Sequence, residues 1–237
     1  MLIFAVDTCS MSSSCAIADE NRIIAEFTVN HKKTHSEKIM PQIEAMFKAA
    51  DITVNDIDAF AAAVGPGSFT GVRIGVAIVK GFSLAANKPC ISVSAIEGLS
   101  YGARHFNGLV VPILDARRNQ VYSGIFKSDG RKIKRLTPDR AVELSVLLEE
   151  LKGYDENVIF SGDGVPVFKE EVVRTIGDKA YFVPNPYVYN LASNVAQIGI
   201  EKFENGEITE GGLLVPEYVR LSQAEQEKLK QKGEQQN

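Results

Sequence analysis

Val64-Gly65-Pro66-Gly67-Ser68-Phe69-Thr70-Gly71-Val72-Arg73-Ile74-Gly75 separates two long apolar stretches, and the fold turns on how it is read. Before it lies Ile57 to Val64, β-branched and alanine-rich; after it runs Phe69 to Ala86, apolar and of helical length. That order predicts a buried strand, a tight glycine turn, then a helix with Ser68 and Thr70 as candidate caps. Pro66 fixes one backbone angle, while Gly65 and Gly67 permit geometry that a Cβ would obstruct. Such a junction gathers backbone amides at a helix N-terminus, where a phosphate can be held. It serves equally as a close strand–helix contact with no ligand. The spacing is neither G-x-G-x-x-G nor a Walker loop, because no Gly-Lys-Ser/Thr follows.

The 237 residues suit one large domain or two small lobes with a substantial core. A net charge of −4 gives no basic excess that would announce nucleic-acid binding by itself. Cys9, Cys15 and Cys90 are odd in number and lack metal-ligand spacing, so reduced thiols in a cytoplasmic protein are expected. No basic start precedes the first apolar run, and Asp7 interrupts it, so a signal peptide is not expected. Arg73 and Lys80 break the longest apolar run, so no membrane-spanning segment is expected either.

Outward from the junction, the chain follows one plan twice. Leu2 to Val6 reads as a strand ending at Asp7, followed by a hairpin of Cys15 to Ala18 and Ile23 to Val29. Ser36 to Ala50 reads as an amphipathic helix, with Ile39, Ile43, Met46 and Phe47 on one stripe and Pro41 in its early turns. After the junction come a strand, Cys90 to Val93, and a helix from Ala95 to about Arg104. Val110 to Leu114 then ends at Asp115, as the first strand ends at Asp7. The hairpin that follows is Val121 to Phe126 with Lys132 to Arg135. A helix (Ala141 to Leu151), a strand (Asn157 to Phe160), Gly162-Asp163-Gly164 and a helix (Val165 to Thr175) complete the second copy. Gly65-Pro66-Gly67 and Gly162-Asp163-Gly164 thus hold equivalent places in a duplicated unit. The expectation is α/β: two lobes, 1–106 and 107–222, facing across a cleft with Asp7 and Asp115 near its floor. A strand (Ala180 to Val183) and a helix (Leu191 to Phe203) finish the second lobe. A polar tail, 223–237, is expected to be frayed or disordered.

A duplicated unit opening on a strand and Asp resembles the actin-like ATPase superfamily, with its ribonuclease H-like lobes of mixed sheet and packed helices. Ile3-Phe4-Ala5-Val6-Asp7-Thr8, His35-Ser36-Glu37 with Pro41, Gly65 to Gly75, Asp115-Ala116-Arg117 with Tyr122, and Pro216-Glu217-Tyr218-Val219-Arg220 resemble, within it, the bacterial TsaB (YeaZ) family. The resemblance implies a non-catalytic scaffold subunit, cytoplasmic, working with the catalytic paralogue TsaD and the ATPase TsaE. Together they make N6-threonylcarbamoyladenosine at position 37 of tRNAs reading ANN codons, with the donor supplied by a separate enzyme. It also implies a homodimer in isolation, tRNA met through the complex, and no membrane partner. ATP and Mg²⁺ belong to the partner subunits. Where the paralogue carries His-Met-Glu-Gly-His, this chain reads Ala95-Ile96-Glu97-Gly98-Leu99, and neither Ala95 nor Leu99 can bind a metal.

The residues themselves leave alternatives. Asp7, Thr8, Gly65, Gly67, Asp115, Gly162 and Gly164 could form a vestigial nucleotide or phosphate cleft, or simply organise their turns. His31 and His35 stand at i, i+4, but where polar residues lead into a helix. Arg117 and Arg118 are either a surface pair or part of an edge facing tRNA or a partner. The apolar run Phe69 to Ala86 has more hydrophobic faces than one sheet covers. Ile39, Ile43, Met46, Phe47, Val72, Arg73, Ile74, Val76, Ile78 and Val79 are therefore candidates for a partner or dimer interface. The competing function is a stand-alone nucleotide hydrolase or peptidase-like enzyme using the cleft, although no nucleophile–base–orienter set can be discerned. Metal content and ATP turnover with and without a partner separate the two.

Overall fold

The computed structural model describes residues 1–31 and 35–220. The first sheet contains β1 (Ile3–Asp7), β2 (Ser12–Ala18), β3 (Ile23–Asn30), β4 (Ala59–Ala63) and β5 (Cys90–Val93), in the order β3-β2-β1-β4-β5. β1, β2 and β3 are antiparallel; β1, β4 and β5 are parallel. The second sheet is built on β6 (Asn107–Asp115), β7 (Gln120–Ser123), β8 (Phe126–Asp129), β9 (Ile133–Arg135), β10 (Arg140–Glu143), β11 (Val158–Ser161) and β12 (Ala180–Phe182). Its main path, β10-β7-β6-β11-β12, repeats the first order, with β8 added along β6 and β9 along β8.

The second copy departs from expectation at its hairpin. Val121 to Phe126 is two strands: Gly124 and Ile125 break it, so that β7 pairs with Ile113–Asp115 and β8 with Asn107–Val110 of the long β6. The counterpart of β3 is β10, which includes Ala141 to Glu143 from the expected helix. The helix α4 begins only at Leu144 and ends at Leu151.

Helices α1 (His35–Ala50) and α2 (Phe69–Ala86) cover one face of the first sheet. Phe4 of the sheet meets Phe47 of α1 and Phe82 of α2 at ring-centroid distances of 5.3 and 5.6 Å, and Phe60 meets Phe82 at 6.1 Å. Each such ring, when buried, contributes about 1.5–3 kcal/mol through burial. α3 (Ala95–Gly102) packs on β6, and α4 packs with α5 (Val165–Ile176) beside the second sheet.

α6 (Ala192–Glu204) corrects the expected division into lobes at 1–106 and 107–222. It lies on the other face of the first sheet, over β1, β2, β4 and β5. Gly199 permits this approach, since a Cβ there would already lie 3.2 Å from the Ala61 Cβ. The chain then returns to the first lobe: Thr209 bridges Cys90, and residues 211–218 run along α2. The sheets follow the two halves of the chain; the helices do not. The expected tail at 223–237 lies outside the described residues.

By length and composition alone α2 is long and apolar enough to cross a bilayer, a test that a core helix also passes. In the fold that apolarity is used otherwise. Val72, Val76 and Val79 are buried against β1 and β4, and Ser68 caps the helix by accepting from the Gly71 N–H at 3.3 Å.

Candidate functional site

The glycine junction clamps the start of α2 onto the turn after β1. Ser68 N–H donates to the Cys9 carbonyl at 2.6 Å, and the Thr8 hydroxyl donates to the Gly71 carbonyl at 2.7 Å. A Cβ on Gly67 would overlap the Cys9 carbonyl oxygen, and one on Gly71 would overlap that of Thr8. Gly65 has φ +116° and Gly162, its counterpart, φ +99°, so both equivalent turns need a glycine conformation. At Gly67 the requirement is space alone. These contacts favour the close strand–helix junction over the phosphate loop.

The cleft between the halves is a cavity of about 500 Å³. Of the seven residues considered for a nucleotide site, Gly67 and Asp115 line it; Asp7, Thr8, Gly65, Gly162 and Gly164 are buried behind it. Asp7 is 1% exposed, and its carboxylate accepts from the Cys9 N–H at 2.8 Å and from the Asn190 amide at 2.9 Å. It therefore serves as a buried tie between β1 and the stretch leading into α6. Ser12 and Ser14 extend that seam to the Asn190 carbonyl and the Ala192 N–H.

Asp163 lines the cleft, a residue the sequence did not single out as a site. Its carboxylate accepts from the backbone N–H groups of Asp115, at 3.0 Å, and of Met11 in the first half. Burial, with the negative charge of Asp115 adding to it, holds the Asp163 carboxyl above the ordinary carboxylate range. Asp115 caps its own turn through the Arg117 N–H and pairs with the exposed Arg117 side chain at 3.2 Å. Arg117, Arg118 and Asn119 all adopt positive φ there.

Cys9 is buried, and its thiol is pushed well above the ordinary value by burial and then by Asp7. It offers no thiolate nucleophile near neutral pH. Ala95 and Leu99 are buried in the core, and Glu97 on the same helix pairs with Lys202 at 3.6 Å. No group of three His, Cys, Asp or Glu residues among the described residues could hold a metal ion. His31 is exposed; the surroundings of His35 lie outside the described features.

The expected interface residues divide sharply. Ile39, Ile43, Met46, Phe47, Val72, Val76 and Val79 are buried within the chain, because the stripes on α1 and α2 that carry them face the sheet. They are core, not free surface. Arg73 is clamped by the returning C-terminal segment: its Nε donates to the Tyr218 hydroxyl at 2.9 Å, and its guanidinium sits 3.9 Å over Phe69. Phe69 in turn stacks on Tyr218 at 4.7 Å. Lys80 donates to the Gly212 carbonyl at 2.9 Å. Only Ile74 and Ile78 of the ten keep apolar surface in the open, each half-buried. Ala77, Gly81, Leu84 and Ala85 join them on one exposed stripe, and Leu84 is 65% exposed. None of these four was among the ten residues expected at an interface, although the spacing from Ile74 and Ile78 would have found them.

Residues 22–231 match the family model described as TsaD, tRNA N6-adenosine threonylcarbamoyltransferase. The chain is 36% identical over 225 residues to the Bacillus subtilis (strain 168) tRNA threonylcarbamoyladenosine biosynthesis protein TsaB, covering 95% of this chain and 96% of that one. It is also 38% identical over 72 residues to a tRNA N6-adenosine threonylcarbamoyltransferase of Erythrobacter litoralis, covering 30% of this chain and 21% of that enzyme. Its fold matches the solved structure of YeaZ from Pseudomonas aeruginosa with a TM-score of 0.77 at 22% identity, over 92% of this chain and 99% of that one.

Proposed function

The chain belongs to the TsaB family of tRNA threonylcarbamoyladenosine biosynthesis proteins, and on that premise we propose that it is a non-catalytic subunit that pairs with a TsaD-type threonylcarbamoyltransferase. Pairing uses the outer stripe of α2 and the adjoining part of α1. With that partner and a TsaE-type ATPase, in the cytoplasm, it forms N6-threonylcarbamoyladenosine on tRNA. ATP and Mg²⁺ act on the partner subunits, and the same stripe closes a homodimer when no partner is present.

The observation that carries this reading is the composition of the stripe. Ile74, Ala77, Ile78, Gly81, Leu84 and Ala85 follow helical spacing on one side of α2 and place no charge there. The two charged residues at its edge, Arg73 and Lys80, are engaged by the chain's own C-terminal segment. A smooth apolar stripe on a helix fixed to its sheet suits a preformed protein interface. The buried Asp7 and the core positions of Ala95 and Leu99 favour a supporting role in place of a catalytic one.

Reconstitution tests it. Unmodified tRNA, ATP and the threonylcarbamoyl donor are incubated with the chain, with both partners, or with all three, and nucleosides are read by mass spectrometry. Product is expected only with all three; product from this chain alone would overturn the reading.

A further inference from the structure

The β8–β9 hairpin carries Arg131-Lys132-Ile133-Lys134-Arg135, four cations in five residues of a chain whose net charge is −4. The carboxylate of Asp129 fixes the turn by accepting from the N–H groups of Arg131 and Lys132, at 2.8 and 2.7 Å. Arg131, Lys132 and Lys134 are exposed and form no ion pair among the described residues. Between this hairpin, α3 and α6 lies a cavity of about 350 Å³. That volume is at the small end of the range for ligand sites.

Arg104, Arg131, Lys132 and Arg135 supply its positive charge, and Tyr101 and Phe126 supply aromatic walls. The guanidinium of Arg104 lies 4.0 Å over Tyr101, and that of Arg135 lies 4.5 Å over Phe126. Two carboxylates share the lining: Glu97, which pairs with Lys202, and Glu201, which accepts from the Tyr101 hydroxyl at 3.1 Å. Asp139 accepts from Ser94 and pairs with Arg135, so the uncommitted cations are Arg131 and Lys132 at the rim and Lys134 on the hairpin. The positive charge of the hairpin tip is left for an outside anion.

We propose that this hairpin and cavity bind the phosphodiester backbone of RNA directly; the identity of that RNA as tRNA rests on the reading given above. Arg104 and Arg135 each spend one N–H within the chain, on the Tyr101 carbonyl and the Asp139 carboxylate. A guanidinium has further N–H groups for phosphate oxygens, while aromatic rings offer stacking faces to a ribose or base. A local basic patch on an otherwise acidic protein also steers a polyanion to one place. The patch adjoins α6, on the opposite face of the first sheet from α1 and α2. RNA bound there leaves the α2 stripe clear for a protein partner.

The test titrates a transcribed tRNA into the full chain, alone and with its TsaD-type partner, by fluorescence anisotropy at several salt concentrations. Arg131→Ser/Lys132→Ser is expected to weaken tRNA binding on the order of tenfold and to lower the log K–log salt slope by about 1 per lost contact. Lys169→Ser/Arg174→Ser on α5 is expected to change neither. Both variants should still co-purify with the partner, so failure of RNA binding and failure of pairing are read separately. Unchanged tRNA affinity and slope in the hairpin variant would overturn the proposal. So would displacement of tRNA by equal concentrations of inorganic phosphate or UMP, which would assign the cavity to a free anion. Tighter binding of a polyglutamate peptide would overturn it too, in favour of an acidic protein segment.

Discussion

Asn190 donates its side-chain amide to the Asp7 carboxylate at 2.9 Å, joining the end of β1 to the stretch that enters α6. Both residues are 1% exposed, so water cannot replace the bond. Asn190→Ala would leave a buried carboxylate short of a donor, at a cost of about 1–3 kcal/mol. Urea unfolding should show that loss, and an unchanged midpoint would mean that the seam between β1 and α6 contributes little.

Two glycines of α2 should respond in opposite directions. Gly71→Ala drives a methyl group into the Thr8 carbonyl, and overpacking of this kind typically costs about 1–3 kcal/mol. At Gly81 a methyl group would meet nothing within 4 Å. Gly81 sits in the helix interior, so Gly81→Ala should stabilise the monomer by about 0.5–1 kcal/mol. Thermal melts of the two variants decide this; equal shifts would sink the claim that the junction is held by close backbone contact.

The strand–turn–helix order and the duplicated plan were legible because strand-length apolar runs and glycine turns are local signals. Four features were not local. Gly124 alone does not reveal that β7 and β8 pair with different parts of β6. Nothing in the apolar stripe of α6 says which of two sheets it covers. Burial of Met46 beside exposure of Leu84 depends on which face of each helix meets the sheet, and both faces of α2 are apolar. The clamp on Arg73 needs Tyr218, 145 positions away in sequence. At Gly67 the obstruction that the sequence suggested is the Cys9 carbonyl, so space and not a special backbone angle requires glycine there.

The three thiols report on closure of the core. Cys9, Cys15 and Cys90 are buried, Cys9 is pushed well up by burial, and Cys15 is pushed up to about 12 by the same cause. Native protein at pH 8 should react with Ellman's reagent only as fast as it unfolds. Rapid labelling of Cys9 would show that the β1 turn opens away from α2.

Asp163 gives a pH signature. An acid whose folded pKa is raised contributes most favourably below its ordinary value, and that contribution is lost as pH rises through the raised value. Asp163→Asn removes the loss while keeping an acceptor for the Met11 and Asp115 N–H groups. The melting temperature of the variant minus that of the parent should therefore be more positive at neutral pH than near about pH 4. A difference that is flat or falls with pH would contradict the buried-carboxylate account.

The central claim, that the outer stripe of α2 is the pairing surface, is tested most directly by the affinity of Ala77→Glu for a TsaD-type partner. Ala77 is exposed in the single chain, so the substitution should leave the circular dichroism spectrum of the folded chain unchanged while dissociating the homodimer that the same stripe closes. Met46→Glu would not serve, because Met46 is fully buried and the charge would disrupt the core. In the pair, an unpaired charge buried on the stripe costs several kcal/mol, and about 1.4 kcal/mol is tenfold. Calorimetric titration of the folded variant should show affinity reduced by roughly a hundredfold or more. Parental affinity in a folded Ala77→Glu variant would contradict the account and place the partner on another face.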